Sequence, residues 1–278
     1  MAALHMRFPG GLGKALTLSY DDGVQQDVRL IEILDKNGLK GTFNINSGLY
    51  PAEGTRFPDG QAHRRMTQRQ AEDLYKGSGH EVAVHGYTHP FLEQLSSVQV
   101  IEEILRDRRK LESQFGCLIR GMAYPFGTYN DTVVECLRLT GIAYARTAGE
   151  SLSFDLPKDW LRLVGTCHHN NEKLMDLAET FVENQVEYGP QMFYLWGHSY
   201  EFEMDDNWER IETFAQYMGG RPDIWYATNM EIFDYVSAYK QLLFSADSHI
   251  ASNPTAKDLY FKLEDKTYCV KAGETRFL

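Results

Sequence analysis

Basic charge is what this 278-residue chain is short of: 28 Lys and Arg stand against 39 Asp and Glu, a net charge of -11. Surfaces that track a phosphate backbone are usually basic, so no nucleic-acid partner is expected, and neutral or cationic ligands fit better. Long apolar runs are missing as well. No stretch approaches the roughly 20 residues of a membrane-spanning helix, so no membrane partner is expected. The opening MAALHMRFPGGLG lacks a basic region followed by an apolar core, which reads as the absence of a secretory signal. Cysteine is scarce and scattered: Cys117, Cys136, Cys167 and Cys269 form no CxxC pair, which argues against a zinc knuckle and a disulfide framework. A reducing, cytoplasmic compartment is the matching expectation. Cys136 sits inside a helical pattern and reads as a small core residue. Cys167 precedes His168 and His169, but their spacing matches no common metal site, so a structural role is expected for them. Internal repeats and low-complexity segments are absent.

What is present is enough apolar material for a large core. Hydrophobic residues make up 43% of the chain, and the length suits one barrel-sized domain or two small ones. The stretch around which the rest is arranged is LTLSYDDG, Leu16 to Gly23. A β-prone run empties there into two adjacent carboxylates, as a buried strand does when it delivers acidic side chains to the open end of a sheet. Neighbouring carboxylates repel unless a cation or a shared proton relieves them, so Asp21 and Asp22 suggest a divalent metal or a divided acid and base role. Asp-Asp-Gly is also ordinary turn chemistry after a strand.

The same arrangement recurs. A helix from Val24 ends at Asn37-Gly38, and Gly41 to Asn46 reads as the second strand. Residues 48–66 form a loop long enough to suggest a function of its own. A helix over Thr67 to Lys76 is capped by Thr67 with Gln70. Glu81 to Val84 is a third strand, running into His85 and His89, two imidazoles at a spacing that lets both reach one metal; loop histidines without a role are the alternative. A long amphipathic helix, Gln94 to Phe115, leads to a strand over Leu118 to Ala123 and a sharp turn at Pro125-Phe126-Gly127 whose backbone N–H groups can face the strand ends. Helix Asp131 to Thr140, strand Ile142 to Ala148, helix Asn170 to Glu187, and a strand ending at His198 follow. Helix Asp206 to Tyr217, strand Asp223 to Ala227 and helix Met230 to Gln241 complete the series. Strands alternating with helices, with ionisable residues just past the strand ends, predict an α/β fold: a parallel β/α barrel with its site at the C-terminal rim. Residues 1–241 are assigned to this barrel, and 242–278, which alternate apolar and polar side chains, to a small C-terminal β appendage. Tyr260, Phe261 and Tyr268 are its candidate carbohydrate platforms.

With these residues in view, the chain resembles the polysaccharide deacetylases of carbohydrate esterase family four over roughly residues 15–235. SYDDG at 19–23 matches the family's first motif and HGYTH at 85–89 its second, while AYPFG at 123–127 and LWGH at 195–198 are similar to the third and fifth. The resemblance implies a distorted barrel of about seven β/α units. It implies Asp21 as general base, Asp22, His85 and His89 as metal ligands, the Phe126 N–H as an oxyanion donor, and His198 as general acid. One carboxylate and two imidazoles suit Zn²⁺, with Co²⁺, Ni²⁺ or Mn²⁺ as substitutes, and leave positions open for water and substrate. The expected activity is hydrolysis of the acetyl group from N-acetylated saccharides. Three departures stand out. Ala123 occupies the place of an arginine that braces the catalytic aspartate, and Arg146, at the next strand's exit, is placed to supply that cation, a surface arginine being the alternative. The fourth motif is only approximated by Asp155 to Trp160. The fifth carries an extra Trp-Gly. Two other functions compete: an amidohydrolase acting on a small cyclic amide, against which the full ligand set argues, and a sugar-binding protein without catalysis, against which Asp21 and His198 argue.

Overall fold

The computed structural model describes residues 4–278. Its centre is strand Lys14–Asp21, every residue of which is buried. Burial of both faces is what a parallel sheet covered by helices requires, and it explains why LTLSY reads as a nearly continuous β-prone run without strict alternation. The strands pair in parallel in the order Leu163–Gly165, Tyr144–Glu150, Gly121–Ala123, Glu81–Val84, Gly41–Ile45, Lys14–Asp21, Gln191–Gly197, Cys167–His168. The first and last members of that order are successive pieces of one segment. Thr166 joins them and donates its N–H to the Tyr194 carbonyl at 2.8 Å. The sheet therefore curls until its two edges meet at residues 163–168, giving a distorted barrel. The ladders on either side of this segment are short, and hydrogen bonds do not form a continuous ring. Strand Ile224–Tyr226 lies outside this order, parallel to Lys14–Leu16.

Parallel neighbours need long crossovers, and helices provide them. Gln68–Tyr75 and Ser97–Phe115 each begin with a reciprocal capping box, Thr67 with Gln70 and Ser96 with Gln99, and Ser97–Phe115 ends on Gly116 at φ 70°. Buried aromatic side chains join helices to sheet. Phe193 of the strand meets Phe181 and Phe214 of two helices at ring separations of 5.6 and 5.5 Å, and each such side chain contributes about 1.5–3 kcal/mol on burial. The helix expected over Asn170 to Glu187 forms only at Leu174–Glu183. Segment 163–168 carries no strand signal in the sequence, because its two short pieces are held by their neighbours and not by their own β-propensity. Among the described residues, no helix is long and apolar enough to cross a membrane.

The C-terminal residues build two small antiparallel sheets, and one of them takes in the other end of the chain. Leu4–Arg7 pairs with Leu259–Leu263, which pairs in turn with Lys266–Val270. Strand Leu4–Arg7 thus joins both ends of the chain in one sheet, a pairing that a boundary drawn along the chain at 241 does not show. Tyr235 ties this sheet to helix Asn229–Tyr239, donating its hydroxyl to the Arg7 carbonyl at 2.8 Å and accepting the Tyr260 N–H at 3.0 Å. Phe261 is wholly buried and stacked on Tyr268, so it is a core residue and not a carbohydrate platform.

Candidate active site at the strand ends

Asp21 is the last residue of the central strand, and Asp22 follows at φ 83°, in the left-handed region that costs a side-chain-bearing residue about 1–2 kcal/mol. His89 at φ 55° and Phe126 at φ 58° share that conformation. Three residues in sparsely populated backbone states on three loops at the strand ends mark a site held in shape by its surroundings.

Asp21 is buried and accepts two hydrogen bonds, one from Asn44 Nδ2 at 2.9 Å and one from Arg146 Nη2. Arg146 is itself 1% exposed, and its guanidinium lies over the Trp196 ring at 4.7 Å. Burial alone would raise the Asp21 pKa. The Arg146 charge, with His85 and His198, outweighs it and keeps the carboxyl below the usual carboxylate range.

His85 Nδ1 lies 2.9 Å from the Ala123 carbonyl. A carbonyl only accepts, so Nδ1 carries the proton and Nε2 presents a bare lone pair. That Nε2 is buried and has no hydrogen-bond partner among the described residues, as a metal-ligating nitrogen would be. Burial, and then His85, push His89 down to about 4, so its imidazole is neutral and able to ligate. One ligand atom each from Asp22, His85 and His89 lie within 4.8 Å of one another. Donor set, tautomer and orphaned nitrogen all fit a divalent transition metal. Phe126 adjoins this group, its ring 4.4 Å from His89 and stacked on Phe91 at 3.8 Å.

His198 closes the opposite side, with Nε2 3.7 Å from Asp21 Oδ2 and Nδ1 3.2 Å from Glu201 Oε1. Glu201 stands on the short helix Ser199–Met204, and its other oxygen lies 3.2 Å from His168 Nε2 and 3.0 Å from His169 Nε2. His168, His198 and Glu201 are also close enough to surround an ion, but the tautomer argues otherwise. The Asn170 N–H donates to His168 Nδ1 at 3.1 Å, which leaves the proton on Nε2 and makes that nitrogen a donor. Glu201 thus pairs through a hydrogen bond with His198 and lies within ion-pair distance of His168 and His169, and these imidazoles outweigh its burial and hold it far below the usual carboxylate range. Burial would lower the His198 pKa, but the pairing with Glu201, then Asp21, raises it. The extra glycine of LWGH has its reason here. A Cβ on Gly197 would stand 2.1 Å from His169 Nδ1, so the ring packs directly on the strand that delivers His198.

Several of these residues escape sequence reasoning. Glu201 left a weak signal, a carboxylate one helical turn after His198. Asp27 left none: its carboxyl accepts from Val24 N at 3.2 Å and from the Tyr75 and Ser199 hydroxyls at 2.5 Å each, fastening the Asp-Asp-Gly loop to the helix that follows His198. Asp107 was visible as an anomaly. It occupies the apolar stripe of Ser97–Phe115 with Val100, Ile104 and Leu111, and is wholly buried. Its Oδ1 accepts from Ser47 N and Oγ at 2.8 and 2.5 Å, and its Oδ2 accepts from His85 N at 3.1 Å. Asp107→Ala strands the two buried Ser47 donors, while His85 N–H keeps the Ile45 carbonyl at 3.2 Å, and it is expected to cost at least about 2 kcal/mol in urea unfolding. A loss under about 1 kcal/mol would show that those donors find other acceptors.

Comparison with known proteins leads in one direction. Residues 10–145 match the model of the polysaccharide deacetylase family. Over 135 residues the chain is 26% identical to a peptidoglycan-N-acetylglucosamine deacetylase of Listeria monocytogenes, covering 48% of this chain and 26% of that protein. Over 152 residues it is 26% identical to a chitooligosaccharide deacetylase of a Bradyrhizobium strain, covering 54% of this chain and 60% of the relative. The matched region is thus less than two thirds of either relative. A family 4 carbohydrate esterase from Streptomyces lividans, solved in complex with acetate, shares the fold at a TM-score of 0.52 and 19% identity, over 78% of this chain and 93% of that one.

Proposed function

We propose, from the match of residues 10–145 to the polysaccharide deacetylase family, that the chain hydrolyses the acetamido group of N-acetylated, GlcNAc-type saccharides. The observation that carries this reading is the convergence of a braced carboxylate, a three-ligand group and a carboxylate-paired imidazole on one rim of the barrel. Asp22, His85 and His89 would hold the metal, with Zn²⁺ the proposed ion. When bound there, it supplies Lewis-acid polarisation of the acetyl carbonyl.

The chain's own residues carry the proton traffic. Asp21, ionised and oriented by Arg146 and Asn44, accepts a proton from the attacking water as the new C–O bond forms. The Phe126 N–H, set by its left-handed turn, is the proposed donor to the carbonyl oxygen as negative charge develops. His198 Nε2 then delivers a proton to the amide nitrogen as the C–N bond breaks, releasing acetate and a free amine. Glu201 holds the other nitrogen of that ring, keeping Nε2 turned toward Asp21.

The test joins two measurements on one preparation. Zinc-loaded protein is expected to carry about one ion per chain, the stoichiometry of a mononuclear site. It should release acetate from at least one member of a panel of N-acetyl-chitooligosaccharides and peptidoglycan fragments. Stoichiometric metal with no acetate from any of them, and hydrolysis of a cyclic amide in its place, would overturn the saccharide assignment. Saccharide binding without metal or turnover would point to a non-catalytic protein.

A further inference from the structure

The loop of residues 48–66 ends in Gln61–Met66, a segment that lies against the turn carrying Asp22. Met66 donates its N–H to the Gly23 carbonyl at 2.9 Å, Gln25 donates its own to the Arg64 carbonyl at 2.8 Å, and Arg65 forms an antiparallel bridge with Val24. The segment is latched at its outer side. Arg64 grips Glu203 with both guanidinium arms at 2.6 and 2.8 Å, and Gln26 Nε2 donates both to Glu203 and to the Ala62 carbonyl.

On its inner side the segment meets Asp22 twice. Arg65 Nη2 donates to Asp22 Oδ1 at 2.8 Å, while Nη1 donates to the backbone carbonyl of the same residue and to Asn46 Oδ1, both at 2.7 Å. His63 Nε2 lies 3.2 Å from Asp22 Oδ2. One guanidinium therefore holds both the carboxylate of Asp22 and the peptide that gives this residue its φ of 83°. A planar fork with fixed spacing can do this, whereas an ammonium cannot span both acceptors with the same geometry.

Resting on the metal-site reading above, we propose that Arg65 is the positioning residue that makes Asp22 a metal ligand, and that Gln61–Met66 is the strap that retains the ion. Two effects of Arg65 oppose each other. Its charge repels a divalent cation, and on that ground alone its removal would tighten binding. Its fork fixes a backbone state that Asp22 does not favour and one orientation of the carboxylate, and outer partners of this kind typically govern affinity by 10–100-fold. The contact to the Asp22 carbonyl decides between them, since a guanidinium that served only to neutralise charge would have no use for it.

Arg65→Met is expected to weaken Zn²⁺ binding about 10–100-fold, measured by competition with a chromophoric chelator, and to alter the visible spectrum of the Co²⁺-substituted protein. Arg65→Lys keeps the charge and should not restore affinity. Glu203→Gln, which loosens only the latch, should speed chelator-driven release of the ion with a smaller change in affinity. If Arg65→Met does not fold, His63→Gln, acting at the other oxygen of Asp22, should also weaken binding. Wild-type protein that binds zinc, with an Arg65→Met affinity equal or tighter, would overturn this proposal and leave the metal site standing. Wild-type protein without stoichiometric zinc would overturn both.

Discussion

Asp21→Asn is expected to lower kcat on an N-acetylated saccharide by about 10²–10⁴, the range for loss of a general base, while leaving metal content unchanged. The substitution keeps the side chain's shape and its place beside Asn44, and removes the capacity to take a proton. It also leaves the Arg146 guanidinium buried at 1% exposure without a counter-charge. Removing one partner of such a pair costs about 3–5 kcal/mol of stability, so activity must be measured well below the melting transition. Arg146→Met added to Asp21→Asn removes the stranded charge. It should recover much of the stability and none of the turnover. That split separates the chemical role of the carboxylate from its structural one. Near-normal kcat in Asp21→Asn with full metal occupancy would show that another group accepts the water's proton.

His198→Ala is expected to lose about 10²–10⁴ in kcat on an N-acetyl amide but to stay within about tenfold of wild type on an activated aryl acetate. An amine must be protonated to depart, and a phenolate with a low pKa need not be. Equal losses on both substrates would assign His198 to binding or orientation. Glu201→Gln refines the test through pH. In the wild type, pairing with Glu201 raises His198 against the effect of burial. An acid that starts protonated is lost as pH rises through its pKa, so activity falls on the alkaline side. Taking away the Glu201 charge lowers that pKa, and the alkaline limb of the kcat profile should move to lower pH. The aryl acetate should show no such movement. An unmoved limb on the amide would mean that another group sets it.

How much of this was legible depends on distance along the chain. By itself the sequence determined the alternation of strand and helix, because hydrophobic period and capping residues act within a few positions. It also marked Asp21, Asp22, His85, His89 and His198 as candidates, since each directly follows a β-prone run and strand ends are where a parallel sheet exposes its chemistry. Only the tertiary structure decided which of them face one another and what supports them. Arg146 reaches Asp21 across 125 residues, and Glu201 gathers His168, His169 and His198 from two strand ends. Arg65 reaches Asp22 across 43 residues, from a loop bridged to Val24. Segment 163–168 and strand Leu4–Arg7 have no local pattern strong enough to announce them, and both exist because distant strands offer them ladder partners. The physical reason is common to all of these. Periodicity and capping are set by neighbours in sequence, whereas the curl of the sheet brings its first and last strands together and so selects which buried charges must find each other.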